Sequence, residues 1–175
     1  MNKNNKLFQE LNIDPELVVN FFLFFSRFEY ALKRISRYAN GNEKKVIANW
    51  ELFASDYNDV FQQNINPELN EAINYLLENP PQKQILIDGR LDWKPLTFGS
   101  NQQLTKVIHC IKTIRNNLFH GGKFPSGPQD EPARNPTLLK YALLILAEIL
   151  DLSESLKEEF EDSFTNSKRI YKAAV

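Results

Sequence analysis

Apolar residues recur along most of the chain in steps of three and four, the spacing of one buried helix face. Phe21, Phe24, Phe25, Phe28, Leu32 and Ile35 form the first stripe. With Asp14 as N-cap and Pro15 as first helical residue, they predict a helix running to about Tyr38. Asn40-Gly41-Asn42 ends it. A second helix is expected from Glu43 to about Gln62, burying Val46, Ile47, Trp50, Phe53, Ala54, Tyr57 and Phe61. Asn66-Pro67 opens a third through Glu78, with Leu69, Ile73, Leu76 and Leu77 inward, and Pro80-Pro81 stops it.

Between 82 and 100 the helical period breaks. Gln84 to Ile87, Asp88-Gly89, and Arg90 to Trp93 have the shape of a β-hairpin with a tight turn. Such a hairpin must pack on the body of the protein or on a partner. Trp93 and Phe98 are aromatics available to anchor it or to stack on a base. Helical spacing resumes at Leu104, Val107, Ile108, Ile111, Ile114 and Leu118, and Gly121-Gly122 ends that helix. After a Pro/Gly-rich loop from Phe124 to Arg134, Asn135-Pro136 starts a last long helix. Its Leu138, Leu139, Ala142, Leu143, Ile145, Leu146, Ile149, Leu150 and Leu152 make it apolar nearly all round, the mark of a helix central to a bundle or shared with a second subunit. Leu156, Phe160 and Phe164 continue the pattern more sparsely. The expectation is an all-α, up-and-down bundle of four to five helices with a short hairpin or irregular insertion at about 82–100. It forms a single domain over 1–175, with a leader (1–12) and a tail (168–175) loosely ordered.

Composition narrows the function. The chain has 175 residues, enough for one domain with a real core. Lys and Arg number 21 against 22 Asp and Glu, a net charge of −1. This is no polycation, so any nucleic-acid contact must use a local patch. The densest basic region is Lys33, Arg34, Arg37, Lys44 and Lys45, readable as a solvated face or as an RNA-backbone contact. One cysteine, Cys110, excludes an internal disulfide and fits a reducing cytoplasm, the expected location. There are too few His and Cys for a zinc site built from those residues, and neither a metal nor another cofactor is expected. The apolar run from Val18 to Phe25 is too short to span a bilayer, so no membrane partner is expected. No apolar run with a small-residue cleavage site follows Met1 to Lys6, so secretion is not expected.

Candidate chemistry gathers at Arg115-Asn116-Asn117-Leu118-Phe119-His120-Gly121-Gly122-Lys123. On a helical wheel Arg115 falls inside the apolar stripe, between Leu104 and Ile108, while His109 falls on the wet face. A guanidinium there is costly unless it is paired or lines a cavity. Arg115 and His120 can converge where the helix ends. They can equally be a snorkelling Arg and a His at the negative end of the helix dipole. Glu29, at the edge of the first stripe, either faces Arg115 across the bundle or is exposed to water.

The run Arg115-Asn116-x-x-x-His120, between two long helices, resembles the signature of the HEPN superfamily, and in particular its short stand-alone bacterial members. That resemblance covers most of the chain in architecture and about ten residues in detail. It implies a metal-independent endoribonuclease, cleaving RNA by 2′-hydroxyl attack at a site formed across a homodimer. It further implies a toxin or phage-defence effector held by a cognate antitoxin protein. His120 would be the acid or base, Arg115 the phosphate clamp, and Asn116 the orienting amide. Glu29 would orient Arg115, while Gly121, Gly122 and Lys123 would hold a neighbouring phosphate. The alternatives are a non-catalytic HEPN-like module that binds a partner protein or a nucleotide, and a helical scaffold with Arg115 as a buried anchor.

Overall fold

The structure is a computed structural model that describes residues 13–63, 65–120 and 134–161. The expected leader at 1–12, the Gly121-Gly122 stop, Lys123, the loop from Phe124 to Ala133, Phe164 and the tail at 168–175 lie outside the described residues. The elements are α1 (Pro15–Arg34), β1 (Ala39–Asn42), β2 (Lys45–Ala48), α2 (Trp50–Gln63), α3 (Pro67–Glu78), β3 (Lys83–Ile87), β4 (Arg90–Lys94), α4 (Gln103–Phe119) and α5 (Arg134–Leu150). A further helical stretch covers 154–161.

The fold is therefore mixed α/β, and the all-α expectation is corrected: two separate two-stranded antiparallel sheets accompany the helices. One of them was expected. In the β3–β4 hairpin, Leu86 pairs with Leu91 and Ile87 with Arg90. Asp88 and Gly89 both take positive φ, 48° and 76°, as a two-residue primed turn requires. The other sheet replaces the end of one expected helix and the start of the next. α1 stops at Arg34, not near Tyr38, and α2 begins at Trp50, not at Glu43. Between them β1 and β2 pair with Ala39 opposite Ala48 and Gly41 opposite Val46. Val46 and Ile47, expected in the core, are 53% and 43% exposed.

The physical reason lies in two local devices. Gly41 has φ 140°, and a Cβ there would run into the carbonyl oxygen of Lys45, so the strands approach this closely only over a glycine. At the base of the hairpin, Asn49 N–H donates to the Tyr38 carbonyl at 2.7 Å. Arg37 grips Asp56 of α2 through Nε (2.6 Å) and Nη2 (2.8 Å), and the Tyr38 hydroxyl donates to the same carboxylate at 3.1 Å. Arg37 holds the Asp56 carboxyl below its usual range, with burial opposing and Tyr38 assisting.

Elsewhere the capping logic is plain. Asp14 accepts from Glu16 N–H at 2.9 Å, and Asn66 accepts from Leu69 N–H at 2.8 Å, each with a following proline. α5 departs from expectation at its start: it begins at Arg134, so Asn135 sits in the first turn instead of capping it. Arg134 Nη2 donates to the Asn79 and Pro80 carbonyls at 3.2 and 3.1 Å, tying this end to the close of α3. α5 packs against α1, α3 and α4, while α4 packs against α2, α3 and β3. Leu138, Leu139, Ala142, Ile145, Leu146 and Ile149 are buried, so α5 is central within one chain. Cys110 is the structural thiol of the α3–α4 seam, pushed up to about 12 by burial.

Gly41→Ala should lower stability by about 1–3 kcal/mol in denaturant unfolding, from a forced positive φ and a backbone clash. The same change at Gly99, where nothing lies within 4 Å of an added Cβ, should leave the midpoint nearly unchanged.

Candidate functional site along helix α4

α4 carries two stripes. Leu104, Val107, Ile108, Ile111 and Ile114 are buried in the core. Thr105, His109, Lys112, Thr113, Asn116 and His120 line a cleft of about 690 Å³. The opposite wall comes from Glu51 of α2, from Lys83 and Gln84 of β3, and from Gly99 and Ser100, with Trp50 and Ala54 contributing apolar surface. The β3–β4 hairpin is held in place by Asn117, whose buried amide Nδ2 donates to the Gln82 carbonyl at 2.7 Å. Phe98 packs on the core and meets the His109 ring edge-on at 6.2 Å. Trp93 is half-buried and does not join the core cluster.

Arg115 lies elsewhere. It lines a second, smaller groove of about 400 Å³ with Phe25, Glu29, Ile47, Trp50, Lys112 and Asn116. Its guanidinium carbon sits 5.6 Å from the ring centres of both Phe25 and Phe119, and Nη1 donates to Asn116 Oδ1 at 3.0 Å. Cation–π contact on two faces compensates a cation placed on an apolar stripe. Glu29 does line Arg115's groove, but its carboxylate pairs with Lys33 at 3.2 Å. No described hydrogen bond or ion pair joins Glu29 to Arg115.

The expected set is thus partly assembled. His120 and Arg115 line different concavities, and Asn116, exposed on α4, lines both. His120 is exposed at the C-cap of α4, with its backbone N–H donating to the Asn116 carbonyl at 2.9 Å. Gly121, Gly122 and Lys123 lie outside the described residues. His109, on the wet face as expected, shares the cleft with His120 and not the groove of Arg115. The two are eleven positions apart, which returns a helix to within roughly 20° of the same direction. The polar period over Thr105, His109, Lys112, Asn116 and His120 is the signal that marks this face.

The electrostatics of the cleft are mixed. Lys112 Nζ bonds Glu51 Oε1 at 2.8 Å. Burial is the largest influence and works against the Glu51 charge, but the Lys112 hydrogen bond, a backbone hydrogen bond and the charges of Lys112 and His109 together more than offset it, leaving the carboxyl below its usual value. His109 is lowered from 6.5, first by crowding against the wall, then by Lys112 and Lys83, with Glu51 opposing. The basic region expected on α1 is largely neutralised: Lys33 pairs with Glu29, Arg34 with Glu159 at 3.0 Å and Arg37 with Asp56. Among the described residues no group of three His, Cys, Asp or Glu side chains converges, and no helix is long and apolar enough to cross a membrane.

Beside Arg115 lies an apolar strip that no other described residue covers. Val19, Phe22, Leu23 and Tyr30 project from α1 with large exposed areas, and Phe22 touches the half-exposed Phe119 ring at 5.2 Å. In comparison with family models, with curated proteins and with solved structures, nothing matches the chain.

Proton NMR can follow the His109 imidazole as it titrates. The His109 midpoint is expected below 6.5. Lys83→Ala should raise it by removing a like charge, and Glu51→Gln should lower it by removing the opposing one.

Proposed function

We propose that the chain is a metal-independent endoribonuclease of the HEPN type, acting on RNA at a site completed by a second copy. The observation that carries this reading is the position of Asn116. Its side chain accepts a hydrogen bond from Arg115 and lines the cleft that holds His120. One backbone turn therefore presents a cation, an amide and an imidazole around the end of α4. The apolar strip of Val19, Phe22, Leu23 and Tyr30 adjoins it, as suits a self-complementary interface. The reading carries with it a toxin or phage-defence role and a cognate antitoxin as partner.

The chemistry requires no added reactant. A base takes the proton from the ribose 2′-hydroxyl as O2′ attacks the adjacent phosphorus. The O2′–P bond forms, the P–O5′ bond breaks, and an acid returns a proton to O5′. The products are a 2′,3′-cyclic phosphate and a 5′-hydroxyl end. Two copies of His120 supply the base and the acid, and Arg115 stabilises the charge on the non-bridging oxygens.

The second reading is a non-catalytic binding module. It is favoured by the seat of Arg115 between Phe25 and Phe119, facing a different groove from His120.

Purified protein should cleave total RNA or transfer RNA in excess EDTA, and His120→Ala, prepared identically, should lose about 100-fold to 10,000-fold of that rate. His120 is exposed at a helix end, so its melting temperature should stay near wild type. No cleavage by folded, dimeric wild type would leave the binding-module reading in possession.

Phe22→Asp should shift the chain toward monomer in light scattering and reduce cleavage in parallel. A chain that is monomeric before the substitution and still cleaves would remove the second copy from the site.

A further inference from the structure

The cleft on α4 extends far beyond the atoms that a single scissile phosphate occupies. On the helix the cleft runs from Thr105 to His120, and within it His109 and His120 stand eleven residues apart, a span of roughly 16 Å at 1.5 Å per residue. That separation is too great for both imidazoles to act on one phosphate, so the His109 end needs a different occupant. Its volume, about 690 Å³, falls in the range that holds a ligand of a few rings, not a duplex. The polar groups along it are Thr105, Ser100, Lys112, Thr113 and Asn116 on or facing α4, and Lys83 across from them. Among the described residues no carboxylate pairs with Lys83, whereas Lys112 is held by Glu51 at 2.8 Å.

We propose that this cleft is a subsite for single-stranded RNA, holding the few nucleotides that lead away from the phosphate at His120, with Lys83 and Lys112 as its phosphate contacts. The proposal rests on the ribonuclease reading for its polarity and substrate class. The arrangement has a consequence that a structural role for these side chains lacks. Glu51 competes with the incoming phosphate for Lys112, so it acts as a brake on binding. Removing its charge frees a cation already positioned in the cleft. Removing Lys83 takes away the cation that has no such competitor. Both side chains are exposed, Glu51 to 70% at its side chain, so neither substitution disturbs the core.

The test uses a fluorescent 2′-O-methyl tetraribonucleotide, which lacks the attacking hydroxyl and cannot be cut, with binding read by fluorescence anisotropy. Glu51→Gln should tighten binding by about twofold to fivefold, and Lys83→Ala should weaken it by a similar factor. Lys83→Ala should also reduce the slope of log affinity against log salt by about 0.7, the value for one single-strand phosphate contact. The corresponding duplex should bind more weakly than the single strand. If Glu51→Gln fails to tighten binding, if Lys83→Ala fails to weaken it, or if the duplex binds as well, the subsite is overturned. Cleavage by wild type alongside any of those results would preserve the ribonuclease reading and sink the subsite alone. The expected binding pattern without cleavage of an unmodified strand would do the reverse.

Discussion

The ring of Trp50 is the contact on which the site depends. It is 4% exposed, stacked on Phe28 at 5.1 Å and 7°, and on Phe25 at 5.4 Å. Phe28 in turn meets Phe53 edge-on, and Tyr38 meets Phe53 at 87°. This aromatic cluster joins α1, α2 and the base of the first hairpin into one rigid wall. Trp50 lines both the His120 cleft and the Arg115 groove, and Phe25 is also one of the two rings that carry the Arg115 guanidinium. The geometry of the cation is therefore set by the same packing that sets the floor of the cleft. Truncating Trp50 would blur both concavities at once, because the void would open between them.

How much of this was readable from the sequence depended on whether local signals agreed with one another. The β3–β4 hairpin was legible because Asp88-Gly89 and the break in helical period point the same way. The β1–β2 hairpin was not, because Val46, Ile47, Trp50, Phe53 and Ala54 fit a helical stripe by spacing alone. Gly41 looks like a helix stop, but its use is a close approach to the Lys45 carbonyl four residues on, a backbone contact of the hairpin that the spacing of apolar residues does not display. The ion pair between Arg37 and Asp56 is tertiary: it joins two positions 19 residues apart, the approach to β1 and the body of α2. The class changed from all-α to mixed α/β through these two short sheets, while α1 and α3, whose caps and stripes agree, begin at the prolines that follow Asp14 and Asn66, and α2, which no cap signal marked, begins seven residues later than its stripe suggested.

The site shows a similar division. The segment that carries it was legible, and so was the oddity of Arg115 on a dry face. Which groups share a cavity was not. Measuring His109 and His120 each against Arg115 obscured that they lie close to one another in direction, since eleven residues nearly complete three turns. Lys83 and Glu51 belong to the cleft through the packing of β3 and α2 on α4, which is tertiary information. The basic stretch from Lys33 to Lys45 reads as a patch in one dimension. In three dimensions Lys33, Arg34 and Arg37 are each engaged in an ion pair.

The position of Arg115 also constrains what a single copy can do. Five residues on a helix rotate the side chain by roughly 140°, so Arg115 and His120 cannot both face a ligand lying flat in one concavity. Asn116 is the one side chain of the three that lines both concavities, and its Oδ1 is already engaged by Arg115. A phosphate held by Arg115 and His120 together must sit over the end of α4, above Asn116, where Phe119 and His120 are exposed and the apolar strip of α1 begins. Among the described residues, that location has protein on one side only. Excluding water from it, which strengthens every charge interaction with a phosphorane, requires a second surface. On the proposed ribonuclease reading, the apolar character of the neighbouring strip makes another copy of the same surface the natural cover, because a two-fold axis there would bring like strips together and would set two copies of His120 about one phosphate.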